Sequence, residues 1–189
     1  MTEVIVRHKP GRFLCIELPI FQNNMKGFEN QTYLIAYIIS NVVALILLWL
    51  AWKQPRAARL LFFLLFAWAS WTNWITALHN PQFYIEYADL SFLRIYKQFI
   101  HGWFSRHITE TVGFIATCQS LIALSMLFKG WILKIGAIAA IIFLLGIAPL
   151  GVGSAFPFSI IASFALSHIL RNKTNDYLWI NVKSRTVWQ

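Results

Sequence analysis

The chain has 189 residues, of which 58% are hydrophobic and 12% charged, with a mean hydropathy of +0.60 and a net charge of +9. A soluble domain carries about a quarter charged residues, and a chain this small has too little interior to hide so much apolar surface, so a water-soluble fold is excluded. The cations sit between long apolar runs and no nucleic-acid-binding module is present, which argues against nucleic acid and for anionic lipid headgroups as partners.

Residues 1–32 read as an external N-terminal segment. Phe13-Leu14-Cys15-Ile16 is interrupted by Glu17 and Pro19, short of the roughly 7–15 apolar residues of a signal-peptide core. Insertion is therefore directed by the first span. Asn30-Gln31-Thr32 forms a glycosylation sequon almost against that span, a triplet that also arises by chance.

Spans are expected over 33–52, 57–78, 108–128, 131–148 and 154–170. Each approaches the roughly 20 apolar residues that cross a hydrocarbon core. Tyr33 and the pair Trp49/Trp52 bracket the first as interfacial rings, and Lys53-Gln54-Pro55 ends it. The second turns amphipathic, with Ser70, Asn73 and Thr76 spaced by three on one stripe; His79-Asn80-Pro81 closes it. Lys129-Gly130 makes a tight hairpin between the third and fourth. Gly136, Ala139, Ala140 and Gly146 suit close packing of the fourth. Pro149-Leu-Gly-Val-Gly153 is a breaker-rich turn, and Pro157 belongs to the first turn of the fifth span.

Between the second and third spans, 89–104 reads as one amphipathic helix at the interface. Asp89 is its N-cap, and Leu90, Phe92, Leu93, Tyr96, Phe99, Ile100, Trp103 and Phe104 recur at helical spacing opposite Arg94, Lys97, Gln98 and His101. The fold class is thus all-α: a polytopic membrane protein of about five transmembrane helices in a small antiparallel bundle, plus one interfacial helix. Residues 171–189 form a tail in which Tyr177, Trp179 and Trp188 can rest on the membrane. The short loops at 53–59 and 129–134 and this tail hold nine of the 16 cations, while six of the seven acids share the opposite side. Cations in short loops mark the cytoplasmic face. The expected location is the inner (plasma) membrane, multi-pass, with the N-terminus external and the C-terminus cytoplasmic.

Ionisable groups at membrane depth demand a reason, and Glu110 is the leading case. It opens the third span on the side that also holds His79, His101 and His107, and it shares a stripe with Gly113 and Thr117. A polar pocket at the outer end would combine Asn73, His79, His107, Glu110 and Thr117, as a ligand or proton site. The competing reading is that Glu110 merely complements the positive end of its helix dipole. His8, His79, His101 and His107 gather on the outer side, but no pair has the i, i+4 spacing of a helical metal site, which argues against a metal or haem. His168 reads as a packed or snorkelling residue. Cys15 and Cys118 form no CxxC and read as free thiols.

Ala58-Arg59-Leu60-Leu61 opening a span, Asn80-Pro81-Gln82-Phe83 with Tyr87 after it, the aromatic amphipathic segment, a span opened by Glu110, and a hairpin to Lys134-Ile-Gly136 together resemble the DoxX-like family of small bacterial membrane proteins. The resemblance covers 57–170; the span at 33–52 is an addition to the usual four-helix core, and Ser70-Trp71-Thr72-Asn73 stands where the family has a glycine-lysine pattern. It implies Arg59 and Glu110 as site residues and a link to quinone-coupled membrane redox chemistry. The expected function is an accessory one: binding a lipid, a quinone or a partner membrane subunit, or self-association. A quinone-linked membrane oxidoreductase is the alternative. A small carrier would show inverted repeats or paired broken helices, and neither is visible.

Overall fold

The computed structural model describes residues 31–171. The expectations placed on 1–30 and 172–189, including those for His8, Cys15, the sequon and the aromatic tail, lie outside the described residues. Seven α-helices follow in order: α1 (Gln31–Lys53), α2 (Pro55–His79), α3 (Tyr87–Leu90), α4 (Arg94–His101), α5 (Ile108–Leu127), α6 (Trp131–Ile147) and α7 (Phe158–Arg171). Short 3-10 turns occupy Pro81–Ile85, Phe104–Arg106 and Ala148–Ser154, and no strand occurs among the described residues. Four helices, α1, α2, α5 and α6, are long and apolar enough to cross a membrane. This is the architecture of a multi-pass helical membrane protein.

The helix ends follow local chemistry. Only Gln54 separates α1 from α2, and Pro55 takes the first helical position of α2, where its missing N–H costs nothing. Gly130 turns α5 into α6 with φ at 66°, a left-handed conformation that glycine adopts without strain. At the start of α7 the expectation of a helix from 154 needs correcting. Ala155 adopts left-handed backbone at φ 53°, and the Pro157 carbonyl accepts the Ile160 and Ile161 amides at 3.0 and 3.1 Å. Pro157 thus precedes the helix rather than lying in its first turn. The 14 residues of α7 reach about 21 Å at 1.5 Å per residue, less than a hydrocarbon core of about 30 Å.

The five long helices close into a ring. α5 packs on α2, α2 on α1, α1 on α7, α7 on α6, and α6 back on α5. Successive helices alternate in direction, so a ring with an odd number of members contains one parallel pair, α1 with α7. The expected antiparallel bundle is corrected at that seam. Two contacts fix its direction: Asn41 Nδ2, midway along α1, donates to the carbonyl of Ala155, just before α7, at 3.2 Å, and Trp52 Nε1 donates to His168 Nδ1 at 3.1 Å near the ends of both helices. Indole N–H is only a donor, so His168 carries its proton on Nε2. The shared core holds Leu47, Phe62, Phe66, Met126, Leu133, Leu144 and Leu166, all essentially inaccessible. At the α5–α6 contact, a methyl group on Gly136 would collide with the Ser125 side chain, so glycine sets the approach of the two backbones. Gly146, by contrast, faces open space and takes no part in helix packing.

Residues 80–107 cover one end of this ring, hereafter the roofed end; the opposite end carries the 53–55 and 128–130 turns and the last residues of α7. The single amphipathic helix expected over 89–104 is broken into α3 and α4. Ser91 is extended at ψ 138°, the Phe92 amide donates to the Pro149 carbonyl at 3.0 Å, and Ser91 Oγ donates to the same carbonyl at 3.1 Å. Those bonds tie the connector to the 148–154 turn instead of continuing a helix. Asp89 accordingly lies inside α3, and the N-cap of α4 is Leu93, without a side-chain bond. On α4 and the turn after it, Ile100 and Phe104 are buried against the bundle, while Ile95, Phe99 and Trp103 form an exposed apolar stripe. Arg94, Lys97, Gln98 and His101 occupy the remaining arc at 100° per residue. The segment thus has three distinct faces, one buried, one apolar and exposed, and one polar and cationic.

Candidate functional site

The Ser70/Asn73/Thr76 stripe of α2 points at α5. Ser70 is 3% exposed, donates to the Ala116 carbonyl at 2.6 Å and lies 2.7 Å from Ser120 Oγ. One turn nearer the roof, Asn73 Nδ2 donates to Gln119 Oε1 at 2.8 Å, and Gln119 is itself 3% exposed. Tyr84, in the turn after α2, closes the chain: its hydroxyl donates to Asn73 Oδ1 at 2.9 Å. A side-chain hydrogen bond also joins Tyr84 to Thr76. Higher still, Thr109 Oγ1 donates to the Ala77 carbonyl at 3.1 Å. A polar ladder therefore runs from the roofed end toward mid-membrane along the α2–α5 contact, the most extensive in the bundle.

Tyr84 stands where the ladder meets the surface. Burial pushes its phenol up to about 12 from the usual 10.0, neighbouring Tyr87 adds to the rise, and the bond to Thr76 opposes it. The rings of Tyr84 and Tyr87 stack with centroids 6.0 Å apart. A neutral phenol here keeps its proton and can donate to Asn73 throughout the physiological range.

Beside it lies an open cleft of about 220 Å³ lined by Thr76, Phe83, Glu86, Tyr87 and Leu90. The lining residues bring two aromatic rings and an aliphatic side chain together with one carboxylate and two hydroxyls, those of Thr76 and Tyr87. Drug-sized pockets run from about 300 Å³ upward, so this cleft has room only for a smaller group.

Of the residues expected to share a pocket, Asn73 belongs to the ladder. His79, Glu110 and Thr117 are exposed. Thr117 Oγ1 donates back to the Gly113 carbonyl at 2.8 Å. His107 is stacked on Trp103 at 4.7 Å, with Nδ1 3.1 Å from the Trp103 carbonyl. No hydrogen bond or ion pair joins these five residues to one another. The buried face of α5 is Val112, Ala116, Gln119 and Ala123, and Glu110 and Thr117 lie roughly 140° around the helix from it at 100° per residue. Gly113 lies between the two faces, with Trp74 packed over it.

Arg59 and Glu110 occupy opposite ends of the bundle. Arg59 is 1% exposed; its Nε and Nη2 donate to the Met126 carbonyl at 3.2 and 2.9 Å, and Nη2 donates to the Phe128 carbonyl as well. The guanidinium thus satisfies carbonyls that the end of α5 leaves open. With Glu110 in its first turn and Arg59 at its last, α5 has a charge of favourable sign at each pole of its dipole.

Among the described residues no group of three or more His, Cys, Asp or Glu side chains is placed to hold a metal ion. Sequence reading missed Gln119, Ser120 and Tyr84. Gln119 carried a usable signal, since its spacing of three and seven from Ala116 and Val112 puts it on one face with them. No family model matches the chain, and no curated protein and no solved structure shows significant similarity to it.

Proposed function

We propose that this chain is a small integral membrane protein of the DoxX-like kind that binds the polar end of a membrane amphiphile, a quinone ring or a lipid headgroup, in an accessory role. The observation that carries this reading is the Tyr84–Asn73–Gln119 ladder ending beside the cleft. Buried polar side chains are expensive in a membrane bundle and mark ligand or ion positions. The cleft supplies apolar stacking from Phe83 and Tyr87 with polar groups at Thr76 and Glu86, the mixture that grips an amphiphile's head while its tail stays in lipid. In this reading α7 is a fifth span, the protein sits in the inner membrane with its N-terminus external and its C-terminus cytoplasmic, and α4 lies in the outer interface. A partner subunit or a second copy would use the lipid-facing helices.

Purification in mild detergent followed by extraction and mass spectrometry tests the reading. Wild type is expected to retain a quinone or a defined phospholipid in stoichiometric amount, and Leu90→Trp, which fills the cleft, to lose it. Equal retention by both would overturn the assignment of the cleft. An alkaline phosphatase fusion after Gln189 tests the topology: strong activity would reverse it.

A further inference from the structure

The described charges are divided unequally between the two ends of the bundle. The roofed end holds Arg94, Lys97 and Arg106 together with Glu86, Asp89 and Glu110, so its charges balance. At the opposite end stand Lys53, Arg56, Arg59, Lys129, Lys134 and Arg171, with no carboxylate among the described residues. Arg59 is turned inward to the α5 carbonyls. Lys53, Lys129, Lys134 and Arg171 are exposed, and they come from three different corners of the ring: the α1–α2 turn, the α5–α6 turn and the end of α7.

We propose that this end is a docking surface for anionic phospholipid headgroups, independent of the cleft at the roofed end. Charge complementarity is the first argument: a surface whose described residues are cationic, with the exposed Lys53, Lys134 and Arg171 among them, attracts anionic headgroups within a Debye length. Position is the second. Each cation lies at, or within about one turn of, the end of an apolar helix, where headgroups meet a chain that spans a bilayer. Lys134 is the most telling. It lies one turn inside α6, with Nζ 5.7 Å from the centroid of the Trp131 ring, so its aliphatic stem runs along apolar surface while the ammonium rises to headgroup level. Exposed indoles surround the same end, with Trp49, Trp52 and Trp131 at 56%, 64% and 78%. Indole rings favour this depth because one edge is apolar and the other donates a hydrogen bond. An acidic soluble partner would need cations raised clear of the membrane; a phosphodiester in the adjoining leaflet meets these where they are.

The test uses the full chain reconstituted in phosphatidylcholine vesicles. Quenching of its tryptophan fluorescence by brominated phosphatidylglycerol is compared with quenching by brominated phosphatidylcholine at equal mole fraction. Wild type is expected to favour the anionic lipid, and each surface cation to contribute up to about fivefold. The triple variant Lys53→Gln/Lys134→Gln/Arg171→Gln is expected to lose the preference. Arg94→Gln/Lys97→Gln/Arg106→Gln, which removes the same charge from the other end, is expected to keep it. Absence of a preference in wild type would overturn the proposal, and so would equal loss in both triple variants. Should the first triple variant fail to give a helical circular dichroism spectrum, Lys134→Gln alone decides: an unchanged preference overturns the proposal. The cleft variant Leu90→Trp should leave the preference intact, which separates this surface from the amphiphile site.

Discussion

Replacing Arg59 by methionine removes a buried guanidinium and keeps most of its volume. At least two carbonyls, those of Met126 and Phe128, lose a charged donor. Hydrogen bonds to charged groups contribute about 1.5–3 kcal/mol each, and the uncapped end of α5 also loses a favourable dipole interaction. Against this stands the relief of not burying a charge, which offsets part of the loss. The expected net destabilisation is about 3 kcal/mol, or about 6–12 °C in Tm at 2–4 °C per kcal/mol for a chain of this size. Lysine keeps the charge but not the planar fork, so Arg59→Lys should fall about halfway. Thermal unfolding in mild detergent, followed by circular dichroism, measures both. A methionine variant melting within about 2 °C of wild type would refute the view that Arg59 serves α5. If that variant also lost a co-purifying molecule, the residue would belong to a ligand site instead.

Tyr84 predicts an alkaline effect with a definite sign. Its phenol is raised in the folded protein from 10.0 to about 12, so its contribution is complete below pH 10 and is lost as pH climbs through about 12. Tyr84→Phe should lack that component of alkaline destabilisation; identical alkaline unfolding curves for the two proteins would contradict it. Gly136→Leu should destabilise by at least about 1–3 kcal/mol through overpacking against Ser125, whereas Gly146→Ala, whose added methyl group meets open space, should not; comparable melting of the two variants would remove the close-contact argument. Glu110→Gln should cost no more than about 0.3–1 kcal/mol as a lost dipole interaction and leave bound small molecules unchanged. Loss of a bound molecule in that variant would restore Glu110 to a site.

The long helices were legible because charged residues and prolines punctuate the apolar runs: Lys53-Gln54-Pro55 and Lys129-Gly130 mark turns to within a few residues. The α2 stripe was legible because Ser70, Asn73 and Thr76 stand out polar on an apolar helix. On α5 the same method picked out Glu110 and Thr117, which the fold leaves exposed, and passed over the buried Gln119. In lipid the outward side of a helix is as apolar as the inward side, so hydrophobic periodicity does not separate them. Glu110 and Thr117 drew attention as polar residues, while Gln119 lay among Val112, Ala116 and Ala123, which pack inward. Tyr84 sits in a 3-10 turn with no periodicity to read, and its role depends on how the connector folds back over α2. The break at Ser91 was hidden for a similar reason, since the acceptor that stabilises it is the Pro149 carbonyl, far along the chain.

The parallel seam between α1 and α7 bears on how the protein is made. Of the five ring helices a ribosome delivers α1 first and α7 last, so the ring stays open along that edge until α7 has been made. The hairpins α1–α2 and α5–α6 can form as they emerge, but the Ala44, Leu47 and Ala51 stripe of α1 must wait in lipid for its partner. A chain stopped before Phe158 would present an unclosed edge to the membrane's quality-control proteases. Its rapid degradation in cells, with the full chain surviving, is the outcome expected of an assembly in which α1 is locked by α7.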